Sequence, residues 1–151
     1  MAANTTFTTG AILTAAQMNN LPWGVVAYGA RTAGNVTLGP AQADITGMSV
    51  TFTAVAGRLY RANWSVNVQK NTSAGWTEAF FTDSANVVQG IAIAYTIAGN
   101  YANLSGSTYI TGLTAGSKTF KLRLEVESNT ATVIAVSGAP CVMIIEDMGA
   151  A

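Results

Sequence analysis

The chain has 151 residues, which suits one domain with a sizeable core. Seven Lys and Arg balance seven Asp and Glu, and only 9% of residues are charged, against an average of about 25%. The polar surface is therefore built from Thr, Ser, Asn and Gln, and it offers phosphate no net attraction, so nucleic acid is not an expected partner.

Two further absences narrow the chemistry. With no His and a single Cys, Cys141, the usual general base, an intrachain disulfide and a Cys/His zinc site are all missing. No apolar run approaches the roughly 20 residues of a membrane helix, and no basic region followed by an apolar core opens the sequence, so neither membrane insertion nor a signal peptide is expected. Net charge near zero lowers repulsion between copies and favours association.

In chain order, residues 1–9 are polar and Thr-rich, with Phe7 as a single aromatic anchor, and read as an extended arm or a disordered tail. Thr14 is placed to cap a short helix over residues 15–20, which Pro22 stops. So short a helix needs a packing partner. That partner is either its own domain or a neighbouring subunit, and residues 1–24 are read as a docking segment with Phe7, Ile12, Leu13, Met18, Leu21 and Trp23 as the docking or interface side chains.

From Val25 onward the pattern is strand and turn. The strongest stretch is Arg58–Gln69, where Tyr60, Ala62, Trp64, Val66 and Val68 alternate with residues that are polar apart from Leu59. A period of two puts one apolar and one polar face on a single long strand. Phe120, Leu122, Leu124 and Val126 repeat the pattern against Thr119, Lys121, Arg123 and Glu125. Shorter strands are expected at Val25–Arg31, Val36–Leu38, Ser49–Val55, Trp76–Phe81, Val87–Tyr95 with a bulge at Gly90, Tyr101–Ile110 broken at Ser105-Gly106, Ala131–Val136 and Cys141–Glu146. Residues 44–47 read as a turn, 128–130 as a hairpin connection and 147–151 as a tail. Many short strands at regular turn spacing predict an all-β fold, an antiparallel β-sandwich or jelly roll over residues 25–151.

The sequence holds no phosphate loop, dinucleotide fingerprint or nucleophile elbow. Glu125 and Glu127 beside Lys121 and Arg123 are better explained as a solvated charged face than as a catalytic pair. The adjacent Glu146-Asp147 supplies too few oxygens for calcium. Cys141, within an apolar run, reads as a buried thiol. No enzyme activity and no cofactor are expected. Trp64 belongs to the core face. Trp23, Trp76, Tyr95, Tyr101 and Tyr109 could pack a subunit interface or stack against sugars.

Phe7–Asn19 with Leu21-Pro-Trp-Gly24 resembles the leader of many small structural proteins of tailed phages of actinobacteria. Asp44–Phe52 with Gly57-Arg58, Leu113–Leu122, and Ala139-Pro140 through Gly149 resemble the body of the same family. That resemblance implies a virion protein, made in the host cytoplasm, of minor tail or capsid decoration type. Its partners would be other virion proteins, or a host surface glycan if the domain belongs to a tail or head fibre. The body is also similar in pattern to jelly rolls of the complement-globular-head and tumour-necrosis-factor type, through Gly57-Arg58-Leu59-Tyr60 and Cys141–Ile145. Two residues rather than one separate Gly57 from Tyr60 here. This second resemblance implies a homotrimer.

Overall fold

A computed structural model of the protein describes residues 14–151. Its described residues form ten strands: β1 (Gly24–Arg31), β2 (Asn35–Leu38), β3 (Ala43–Ala54), β4 (Arg58–Lys70), β5 (Gly75–Asp83), β6 (Val88–Thr96), β7 (Tyr101–Ile110), β8 (Gly116–Val126), β9 (Ala131–Ile134) and β10 (Cys141–Ala150). The helix expected over 15–20 amounts to one five-residue turn, α1 (Ala15–Asn19), so the architecture is all-β.

The long period-two stretch is the centre of the first sheet. Along β4 every odd-phase inward residue from Arg58 to Lys70 is buried and every intervening one is half-buried. On one side β4 pairs with β7 over its length. On the other it pairs with β10 near Arg58–Ser65 and with β9 at Val68–Lys70, so β9 and β10 share that edge end to end. The outer neighbours β1 and β2 extend β10 and β9. The second sheet runs β3-β8-β5-β6. With the short β2 and β9 set aside, β1-β10-β4-β7 faces β3-β8-β5-β6, the winding of a jelly roll.

Inward side chains of both sheets fill one core. Tyr60, Phe81, Leu122, Leu124, Met143 and Ile145 are fully buried, each contributing roughly 1.5–3 kcal/mol by transfer from water. A run of aromatic rings crosses the sandwich. Trp64 stacks on Phe81 at 5.2 Å, Phe81 on Phe120 at 5.1 Å, Phe120 on Phe52 at 6.2 Å, and Phe52 tilts against Tyr60 at 5.0 Å. The Tyr60 hydroxyl accepts the Val55 N–H at 2.9 Å.

Trp64 closes the side of the sandwich where edge strands β6 and β7 meet. A Cβ on Gly90 would stand 2.5 Å from its indole, and one on Gly106 2.2 Å. Gly106 therefore does not break β7, as its sequence context suggests, but makes room for the ring directly across the ladder. At Gly90 the expected bulge is present: Phe81 and Thr82 face Gly90 and Val88, leaving Gln89 extra.

Three other sequence expectations change. Residues 44–47 are not a turn between strands but an irregularity inside β3, between the Asp44–Arg123 and Ser49–Lys121 pairings, with Gly47 at φ +81° and Ile45 and Met48 buried. The 128–130 segment is not a hairpin: β8 lies in one sheet and β9 pairs β2 and β4 in the other, so this loop crosses the sandwich. Residues 147–150 are not a tail, because β10 continues to Ala150 alongside β4.

Candidate interaction surface

Of the docking residues named from sequence, Phe7, Ile12 and Leu13 lie outside the described residues. Met18, Leu21 and Trp23 are exposed. Their segment is nonetheless tied down. Thr14 and Gln17 form a reciprocal capping box on α1. Asn20 O accepts Ala150 N–H at 3.4 Å. Arg58 Nη2 donates to Leu21 O at 2.6 Å, and the guanidinium lies 4.4 Å over the Trp23 ring. A Cβ on Gly149 would come within 2.9 Å of Asn20 O, so the segment passes where β10 carries no side chain.

Arg58 is itself held in a buried two-pronged pair with Asp147, Nε to Oδ2 at 2.5 Å and Nη2 to Oδ1 at 2.6 Å, and Gly149 N–H donates to the same Oδ1 at 2.8 Å. Sequence reasoning missed this clasp. Its signal was phase: Arg58 precedes Tyr60 by two and Asp147 follows Ile145 by two, so both point inward. Phase also settles the Glu146-Asp147 pair, whose members face opposite sides of β10. Glu146 turns outward to Arg61 at 2.8 Å and Asn63 at 2.9 Å.

Asp44, Lys121, Arg123, Lys70 and Cys141 are also engaged structurally. Lys121 and Arg123 each reach Asp44 at 2.8 Å rather than Glu125 or Glu127. The Lys121 hydrogen bond, with help from Arg123, holds the Asp44 carboxyl below its ordinary value. Burial pulls the Lys70 amine below the usual lysine value, against the opposing field of Glu127, and Nζ donates to Ser128 O at 2.6 Å. Burial pushes the Cys141 thiol up, which leaves little of the nucleophilic thiolate. Among the described residues, no group of three or more His, Cys, Asp or Glu is arranged to hold a metal.

What the surface does carry is large apolar groups. On β6, Val88, Ile91, Ile93 and Tyr95 are exposed, while Ala92 and Ala94 turn inward. Trp76 on β5 meets Tyr95 edge-on, with centroids 5.2 Å apart and planes at 76°. On the outer face of the other sheet, exposed Tyr101 and Tyr109 stand at the two ends of β7 with Asn103, Ser105 and Ser107 between them. Across that face lie half-buried Val142 and Ile144 of β10, then exposed Val25 and Tyr28 of β1. Large exposed apolar groups gathered on one edge and one face mark candidate sites of association.

The shape of the molecule is shared with known structures. The Eiger TNF structure from S. frugiperda superposes with a TM-score of 0.57 and 8% identity, over 85% of this chain and 94% of that one. Murine APRIL at pH 5.0 gives a TM-score of 0.53 at 8% identity, over 82% and 98%. The fold is a jelly roll of the tumour-necrosis-factor type. At such low identity the likeness concerns the fold alone. The match to the tripod from the baseplate of bacteriophage Tuc2009 covers 99% of this chain and 75% of that one at 14% identity, with a TM-score of only 0.47. No protein-family model matches the sequence, and no curated protein matches it.

Proposed function

We propose that the protein is a non-enzymatic structural component of a phage virion, a minor tail or capsid decoration protein, that works as a homotrimer. The observation that carries this reading is the exposed Val88, Ile91 and Ile93 of the edge strand β6, together with the tyrosine-bearing face of the β1-β10-β4-β7 sheet, on which Arg61 and Glu146 neutralise each other. An edge of one copy laid on that face of the next is a heterologous contact, which closes into a three-membered ring when the rotation between copies is a third of a turn. The leader resemblance supports the virion assignment, and residues 1–24 are the part that docks on the particle. The Arg58–Asp147 clasp gives that segment a fixed point of departure from the sandwich.

Light scattering of the purified protein tests the trimer: a mass near three chains is expected, and a monomer at every concentration overturns it. Removal of residues 1–22 tests docking, since the shortened domain should remain folded and fail to join particles. A second reading, a host-surface glycan-binding module of a tail or head fibre, is favoured by one observation, the exposed Trp76–Tyr95 pair.

A further inference from the structure

Trp76 and Tyr95 sit at one end of the sandwich. There β5 begins, β6 ends and β4 finishes at Lys70. The Arg58–Asp147 clasp lies at the opposite end of the 13-residue β4, about 40 Å away along an extended strand. If residues 1–24 hold the particle, the aromatic pair is on the side left free.

The surroundings of the pair are polar and acidic. Glu127 Oε2 accepts the Trp76 N–H at 2.8 Å, and Glu127 N–H donates back to Trp76 O at 3.0 Å. This ties the carboxylate to the indole-bearing residue. Glu78 follows Trp76 by two on the same face and stands opposite Ile93. Beyond Glu127, Asn129 donates to Ser73 Oγ at 2.7 Å, lacing the 127–130 loop to the 71–74 loop. Lys70, the cation whose field reaches Glu127, is fully buried. No Lys or Arg among the described residues forms an ion pair with Glu78 or Glu127.

We propose that the Trp76–Tyr95 corner is a carbohydrate-binding platform, with Glu127, Asn129 and Ser73 as its polar rim, and that its ligand is a neutral or amino-substituted pyranose of a surface glycan. Two rings nearly at right angles give a sugar one face to stack on and one wall to lean against. Carboxylate, amide and hydroxyl groups beside them accept and donate to sugar hydroxyls. The unpaired carboxylates repel anionic sugars and attract amines, which fixes the charge class. This inference rests on the glycan-binding reading and gives it a place; of the exposed β6 row it takes Tyr95 and leaves Val88, Ile91 and Ile93 to the subunit contact.

The test is saturation-transfer NMR on the full chain with chitotriose, maltotriose, glucosamine and a glucuronic acid oligomer. Saturation of at least one neutral or amino sugar is expected, with weaker or absent transfer to the acidic oligomer. Trp76→Ala and Tyr95→Ala should each lower affinity at least tenfold, Trp76→Phe should retain most of it, and Glu127→Gln should weaken it several-fold. Light scattering of the same variants separates this site from the subunit contact. An unchanged oligomer with lost sugar binding supports the platform. A changed mass in Trp76→Ala assigns the corner to copy–copy packing and overturns it. No transfer to any neutral or amino sugar also overturns it, while leaving the trimer reading untouched.

Discussion

At Gly106 the missing side chain is the contact. Any Cβ there would stand 2.2 Å from Trp64 Cζ2, and the indole is walled in by Gly90 and Phe81. Gly106→Ala should cost about 1–3 kcal/mol through forced displacement of the ring. Urea denaturation measures the loss, and near-UV circular dichroism should change with it. Asp44 is a contrasting case at the surface. Its pKa is lowered on folding, so its contribution is complete above the unfolded value and fades as pH falls through the lower folded one. Because its side chain is 53% exposed, Asp44→Asn should cost no more than about 0.5 kcal/mol at pH 7. That difference should shrink to nothing in strong acid, as comparison of the two acid-unfolding curves would show. Burial of Cys141 was legible from its apolar run. The use of Gly106 was not, because a glycine's neighbour across a ladder is set by register and not by local sequence.

Between elements, the Arg58–Asp147 clasp joins the start of β4, the end of β10 and the segment that leads into β1. Arg58→Met leaves a buried carboxylate without its counter-charge and should destabilise the domain by about 3–5 kcal/mol. Arg58→Lys should recover only part of this, since one ammonium cannot reproduce two parallel bonds and the stacking on Trp23. Thermal unfolding of the pair of variants checks both statements. The strands themselves were readable wherever one face is apolar, as in β4, β8 and β10. The C-terminal end of β10 and the irregular start of β3 were not. Asp147 reads as a polar terminus until its partner Tyr60 is placed beside it, and Gly47 as a turn until the flanking pairs Asp44–Arg123 and Ser49–Lys121 are in place. β9 was assigned the wrong partner for a related reason: sequence neighbours usually pair, and the jelly roll sends this connection across the sandwich instead.

For the molecule as a whole, the proposed trimer contact is largely apolar and carries no net charge, Arg61 and Glu146 being paired with each other, so its mass should be nearly insensitive to salt between about 50 mM and 500 mM. Ile91→Glu on the β6 edge and Tyr109→Asp on the opposite sheet face should each bring the mass to one chain without unfolding it. They lie on the two halves of one heterologous contact, so either alone breaks it. Composition and period determined by themselves that this is an all-β, weakly charged protein with β4 at its centre, because alternation along a strand is a local property that burial imposes on every second residue. Only the tertiary structure decided which face of β6 points out. Its alternation of Ile91, Ile93 and Tyr95 with Ala92 and Ala94 is apolar on both sides. The choice follows from the space left inside once Trp64, Phe81 and Phe120 have filled the core, and it leaves the large side chains on the surface where a partner can cover them.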